Sequence, residues 1–316
     1  MSGLILAAEI GGTKLQAALG RAEGTILARR RGSVAKGTSA EGILAWFPDA
    51  INELRAEAKA LNESAERIGV GFGGPIDTPA GRVLKSHQVG GWDDFPLRAW
   101  FEEQTGLRTT IANDSNAAGW GEYRRGSGVG TRTFCYMNVG SGIGGALILD
   151  GKLHDGQGIG AWEMGHTRIG EIVDGALKLT KLEDLCSGWS VERQLQASPL
   201  KLGTPLHELV GGRSENITCA LAGQAAARGD AASIAAIDGL ADRLAWAVSN
   251  AITLVHPERF AIGGGVGLLG EVLLAPLRRH VERYVFEPYR GRYQIVPAKL
   301  GEDVVLVGAL LLAGGG

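Results

Sequence analysis

LILAAEIGGTKLQAAL (residues 4–19) and FCYMNVGSGIGGALIL (residues 134–149) share one plan: an apolar strand, a glycine-rich turn and a second apolar strand. Laid over one another at an offset of 129 positions, Gly11, Gly12 and Thr13 fall on Gly140, Ser141 and Gly142. A turn with so little side chain lets backbone N–H groups approach a polyanion, and the hydroxyls of Thr13 and Ser141 add a donor at each tip. The chain therefore reads as two related halves, each offering phosphate a loop. Facing each other across a cleft between domains, the loops would hold the polyphosphate of one nucleotide.

Composition agrees with such a build. The 316 residues are 45% hydrophobic and 21% charged, enough for two cores. Basic and acidic residues, 32 and 34, leave a net charge of −2 spread along the chain, so no basic field draws nucleic acid or an anionic membrane. Apolar runs such as Val304 to Ala313 fall short of the roughly 20 residues of a membrane span. Leu4 to Ala8 lacks a basic flank and meets Glu9 at once, which makes it a strand rather than a signal peptide. Cys135, Cys186 and Cys219 are scattered and form no C-x-x-C pair, as expected of buried thiols in a reducing cytoplasm. Glycine supplies 50 residues, roughly twice the usual share of about 7%.

Along the chain, strands alternate with helices. Residues 4–10, 14–20 and 25–31 form a meander; a helix covers 41–61 with a kink at Pro48. Strand 67–72 runs into Gly73-Gly74-Pro75, and Pro96 opens a helix that Gly106 ends. Strand 108–112 stops at Asn113-Asp114, and a helix follows from Ser115 to Tyr123. The stretch 150–182 reads as irregular. A long amphipathic helix from Asp230 to Val255, a strand at 259–262, a helix at 270–285 and a last strand and helix complete an α/β fold with mixed sheets.

G-x-G-x-x-G occurs three times, at Gly69/71/74, Gly140/142/145 and Gly265/267/270. A dinucleotide fold needs that fingerprint between a strand and a helix. The first match runs into Pro75 and the second into a strand. The third lies too near the C-terminus for the remaining strands of a dinucleotide-binding half. A Walker P-loop does not occur.

Asp114 stands where a strand ends and a helix begins, the place where open α/β sheets put ligands. The helix N-terminus favours its ionised form, which could accept the proton of an attacking hydroxyl; the competing reading is a plain N-cap. Glu163 and His166 are spaced to share one side of a turn. Glu183 precedes a helix start at Ser187 to Ser190, and each of these three could equally be a solvated surface charge.

Taken in order, eight segments resemble the ROK family of sugar kinases and repressors within the actin-like ATPase superfamily. They are EIGGTK at 9–14, GFGGPID at 71–77, GGWDDFPL at 90–97, NDSNAA at 113–118, GSGIGGALILDGKL at 140–153, EMGH at 163–166, LEDLCSG at 182–188 and IGGGV at 262–266. The resemblance implies a two-domain, ribonuclease H-like fold with a cleft. The small domain would be 1–117 joined by the C-terminal helix at about 302–316, and the larger one 118–301. It implies an ATP-dependent hexose kinase, cytoplasmic, forming homodimers or homotetramers, with Asp114 as general base. Asn113, Glu163, His166, Glu183 and the Gly73-Gly74 turn would hydrogen-bond the sugar. Gly11 to Lys14 and Gly140 to Gly142 would clasp the phosphates of ATP, Gly264-Gly265 would border the adenosine, and Glu9 would stand near Mg²⁺.

Three departures mark this chain. Glu9 replaces the family's usual Asp. The three cysteine positions of the family's structural zinc segment hold Asp174, Ala176 and Lys181, which with His166 alone cannot build a tetrahedral site, so no zinc is expected. Trp162 stands where the family has a small residue, either lining the sugar pocket or filling core. The other functional class is a sugar-binding regulator or non-catalytic member. The start of the first hairpin at Leu4 leaves no room for a helix-turn-helix, and binding alone needs no base.

Overall fold

Leu4–Ile10 (β1) and Lys14–Gly20 (β2) are buried at nearly every position, as strands covered on both faces must be. They pair antiparallel, with Ile10 opposite Leu15, and close the turn at 11–13. In the computed structural model the described residues are 3–35, 37–85 and 89–315. Contacts divide the chain into two units: Met1–Val129, Ala146–Ala161 and Leu300–Gly316 form the first, Gly130–Gly145 and Trp162–Lys299 the second.

The first sheet adds Ile26–Ser33 (β3) to β2, and sets Ala65–Phe72 (β4) parallel to β1. A ribbon of Ile76–Asp77 (β5) and Arg82–Val83 (β6) follows, and Arg108–Asn113 (β7) then joins β4, giving the order β3-β2-β1-β4-β7. The second sheet repeats the pattern. Phe134–Val139 (β8), Ile143–Leu149 (β9) and Lys152–Leu153 (β10) come first. A ribbon of Arg168–Val173 (β11) and Ala176–Lys181 (β12) follows, before Arg259–Gly263 (β13) and Gln294–Pro297 (β14). The order is β10-β9-β8-β13-β14, with β13 parallel to β8. The mixed α/β build read from the sequence is present, and the two hairpins keep the 129-residue offset.

The sequence pattern and the structure part company in two places. The helix expected over 41–61 is two helices, Ala40–Leu44 and Phe47–Ala60 (α1). Pro48 lacks an N–H and fixes φ, so it suits a first turn and not an interior, and the chain restarts there instead of kinking. The stretch 150–182 is not irregular: it holds β10, a 3₁₀ turn at Met164–His166 and the β11–β12 hairpin. That hairpin turns at Asp174-Gly175, both at positive φ (51° and 78°), the backbone demanded by the tightest two-residue connection.

Leu97–Thr105 (α2) ends at Gly106 in the left-handed conformation, as the sequence suggested. Asp114–Arg125 (α3) follows β7 directly. Its bed is built of small residues. The C-terminal helix Val304–Ala313 comes so close that a Cβ on Gly308 would lie 1.7 Å from Ala117 O, and one on Gly69 2.1 Å from Ala309 O. Only glycine permits backbones to meet at that range. Glu122, fully buried on α3, ties the neighbouring chain down: Oε2 accepts from Ser127 N and Oγ at 2.7 and 2.8 Å, and Oε1 from Leu300 N at 2.7 Å.

In the second unit, Leu182–Cys186 (α4) and Gly188–Gln196 (α5) pack on the long helix Ala231–Val255 (α6). Asp230 caps α6 through Ser233 N at 2.8 Å, and His256, left-handed at φ 50°, ends it before Pro257. Glu271–Tyr284 (α7) packs beside α6 and C-terminal Val304–Ala313 (α8) closes the chain. Cys135 and Cys186 are fully enclosed, Cys219 nearly so; burial pushes the Cys186 thiol up to about 12 and that of Cys219 to about 11.

Candidate active site

At the head of α3 two adjacent polar residues divide the labour. Asn113 is the N-cap: its Oδ1 accepts from Ser115 N at 2.9 Å and Asn116 N at 3.2 Å, and its Nδ2 donates to Gly74 O at 3.1 Å. The cap is therefore not Asp114. Asp114 Oδ1 accepts from Ser115 N at 2.6 Å and from Ser115 Oγ at 3.2 Å. Its other oxygen lies over the end of β4, where a Cβ on Gly73 would come within 3.3 Å of Oδ2 and also of Ile10 O. Gly73 N in turn donates to Ile10 O at 2.8 Å. The ends of β1, β4 and β7 thus gather the first hairpin turn, the Gly73-Gly74 turn and Asp114, all in the first unit. A recess beside them is lined by Gly11, Gly12, Phe72, Gly73 and Trp92, with Trp92 edge-on to Phe72 at 4.9 Å.

Glu9 is nearly enclosed at the end of β1. Gln16 Nε2 donates to its Oε2 at 2.7 Å and Lys14 Nζ stands 3.2 Å from Oε1. Both partners also reach Glu302 O, at 3.1 Å from Gln16 and 3.3 Å from Lys14. Burial dominates its proton affinity and raises its pKa against the pull of Lys14 and Gln16. Gly11 N closes the first turn on Lys14 O at 3.0 Å, and Gly140 N closes the second on Gly142 O at 2.9 Å. Asp155, not singled out by any sequence motif, accepts from Asn116 Nδ2 at 3.0 Å, and desolvation raises its pKa.

The second unit brings the other candidates together. His166 Nε2 lies 3.8 Å from Glu183 Oε1, and Lys181 Nζ lies at the same distance from that oxygen. A Cβ on Gly142 would approach Glu183 Oε2 to 3.3 Å, so the tip of the second hairpin faces this carboxylate. Glu163 is exposed at its rim, yet desolvation of its carboxyl raises its pKa, with His166 opposing the rise and Glu183 adding to it. Trp162 precedes it at φ 66°, a costly conformation for a bulky side chain. Its indole edge fills the space beside Gly145, where a Cβ would meet Cδ1 at 2.7 Å, which agrees with a packing role. The second turn is anchored to α5 by Gly188 N on Gly140 O at 2.8 Å and by Trp189 Nε1 on Ser141 O at 3.0 Å. Gly264, at φ 77°, lets β13 pass close to β8: a Cβ there would lie 2.5 Å from Val139 O.

A zinc site does not fit these residues. Asp174 lies in the hairpin turn, Ala176 offers no ligand atom, and the Lys181 ammonium pairs with Glu183. Among the described residues no group of three or more His, Cys, Asp or Glu gathers.

The model of the ROK family matches residues 5–315. The chain belongs to the ROK family. It is 30% identical to the glucokinase of Thermotoga maritima over 96% of its own length and 95% of that protein's. It is also 30% identical to an N-acetylmannosamine kinase of Escherichia coli O127:H6, over 98% of both. Among solved structures, the ROK family glucokinase of Streptomyces griseus in complex with glucose and AMPPNP superposes with a TM-score of 0.85 at 31% identity, covering 99% of this chain and 100% of that one. The ROK chain shares the actin-like ATPase fold of these kinases. No helix among the described residues is long and apolar enough to cross a membrane.

Proposed function

We propose that this ATP-dependent hexose kinase activates its sugar with Asp114. The carboxylate takes the proton of the acceptor hydroxyl as that oxygen bonds to the γ-phosphorus of ATP and the bond to ADP breaks. The observation that carries this reading is the division of labour at the head of α3. Asn113 takes the capping bonds, and Asp114 holds one oxygen on Ser115 and turns the other toward the end of β4. A carboxylate held at a helix N-terminus stays ionised and ready to accept a proton.

Phosphoryl transfer requires mostly positioning and charge neutralisation. Because Gly11 N and Gly140 N close their own turns, the phosphate donors in this reading are Gly12, Thr13 and Lys14 in the first hairpin, and Ser141 and Gly142 in the second. Gly264-Gly265 borders the nucleoside. Glu163, His166 and Glu183 supply hydrogen bonds to sugar hydroxyls, as do the Gly73-Gly74 turn and the remaining N–H of the Asn113 amide. Carboxylate oxygens suit Mg²⁺, which in such enzymes rests on one or two carboxylates together with water and substrate phosphates. Glu9 is the residue that would stand near it, from within its bonds to Lys14 and Gln16. Bound with the nucleotide, the ion offsets charge on the phosphates.

The similar kinases act on glucose and on N-acetylmannosamine by name, which makes unmodified and N-acetylated hexoses the panel to test, glucose first. A coupled ADP-release assay over that panel, with Asp114→Asn as control, checks the reading. Wild-type turnover with at least one hexose and loss of about 10³-fold in the variant are expected. Equal turnover in both would remove Asp114 from the chemistry.

A further inference from the structure

The β11–β12 hairpin sits between two of the sugar-facing candidates in sequence and binds their backbones together in space. His166 and Thr167 lead into β11, and Lys181 and Leu182 lead out of β12 to Glu183. Six cross-strand pairs run from Arg168 opposite Lys181 to Val173 opposite Ala176. At the open end, beyond Arg168 and Lys181, Leu182 N donates to Thr167 O at 2.9 Å, extending the ladder to the residues next to His166 and Glu183. The His166 side is set by a 3₁₀ turn in which Thr167 N and Oγ1 both donate to Met164 O, at 3.1 and 2.7 Å. That turn is itself wedged at Gly165, where a Cβ would strike Ile143 O at 2.1 Å. The hairpin touches α6 along β11, where Ile169 is buried and Glu171 pairs with Arg243 of α6 at 3.2 Å.

We propose that this hairpin is a metal-free clamp that sets the spacing of His166 and Glu183, making Asp174 and Gly175, its turn, positioning residues for sugar recognition. The inference rests on the reading that His166 and Glu183 face the sugar. His166 and Glu183, 17 residues apart in sequence, would otherwise depend on a flexible loop, and each ordered backbone residue costs about 1–2 kcal/mol of conformational entropy. The ladder meets that cost when the protein folds and not when sugar binds.

The turn is the weak point. Gly175 at φ 78° cannot be replaced by proline, whose ring holds φ near about −65°. Gly175→Pro is expected to raise KM for the best hexose about tenfold while KM for ATP stays within about twofold and kcat within about threefold. Should that variant fold poorly, Gly175→Ala is expected to show the same split at about threefold.

Rescue separates positioning from general damage. Ile172 and Leu177 are opposite one another and 72% and 67% exposed, so cysteines at both positions remove little buried surface and can form a cross-strand disulfide. Ile172→Cys with Leu177→Cys, added to the turn variant and oxidised, is expected to restore the sugar KM to within about twofold of wild type, and reduction to abolish the rescue. Exhaustive chelation followed by return of Mg²⁺ alone is expected to leave the sugar KM of wild type unchanged. His166→Ala, measured alongside, tells the two ideas apart. If it leaves the sugar KM unmoved, the placement of the sugar is wrong; if it raises KM and the turn variants do not, the clamp is wrong. A chelation-dependent rise in KM, or turn variants that lower kcat and raise both KM values together without rescue, would equally overturn it.

Discussion

The two five-stranded sheets repeat one topology, yet charge is placed in them very differently. In the first, Glu9, the last residue but one of the strand before the hairpin turn, and Lys14, the first of the strand after it, pair at 3.2 Å. At the matching positions of the second stand Asn138 and Ile143. At the ends of the fourth and fifth strands of the pattern the first half sets Gly73-Gly74 and Asn113-Asp114. The second sets Gly264-Gly265 and Ala298-Lys299. The carboxylate facing the second turn, Glu183, comes instead from a separate segment behind a hairpin. The comparison teaches that a duplicated frame repeats two glycine turns, whereas in the proposed reading the acid–base chemistry belongs to one copy and the sugar-facing carboxylate of the other is grafted between its strands.

Substitutions can break or sharpen that contrast. The largest effect on stability is expected at Gly308→Val. With Ala117 O already 1.7 Å from a Cβ at that position, α8 must move off α3, at a cost of about 3 kcal/mol or more. Thermal unfolding measures it, and a loss below about 1 kcal/mol would show that the bed beneath Asp114 is soft. Glu122→Ala comes next. It removes the acceptor of three donors on two chain segments, and about 2–3 kcal/mol should be lost in denaturant titrations. Thr13→Ala and Ser141→Ala test the equality of the two loops. Each should raise KM for ATP by about tenfold, the worth of a hydrogen bond to a charged group, without moving the sugar KM. A response in one loop only would confine the phosphate clasp to one half.

The smallest effect separates the halves by pH. Burial raises the folded-state pKa of Glu9, so the folded chain binds this proton more tightly than the unfolded one does. Glu9 therefore withdraws stability as pH climbs from its unfolded value of 4.5 through its folded pKa. Glu9→Gln should be more stable than wild type at pH 7 and nearly equal to it near pH 4, as read by calorimetry. A gap that widens on acidification would mean that the ion pair with Lys14 outweighs burial.

Much of this was legible in the chain itself. The hairpins could be read because their strands are buried on both faces and so spell unbroken apolar runs around glycine. Asn113-Asp114 could be read because a strand run and a helical run abut there. The β11–β12 hairpin was missed although Asp174-Gly175 is a strong turn signal, because Ala176 to Leu179 are all exposed and the alternating Leu177 and Leu179 mark no buried face. The break before Pro48 hid under a helical period that both helices share. Glu122 carries no local signature at all: one of its donors, Leu300 N, lies 178 residues away, and only folding makes that neighbour.

The decisive measurement separates binding from chemistry in Asp114→Asn. Sugar affinity by titration calorimetry and single-turnover phosphoryl transfer should be recorded on the same preparation. With Asp114 as the base, the dissociation constant stays within about threefold while the rate falls about 10³-fold. A rate within tenfold of wild type, with sugar still bound, would contradict it.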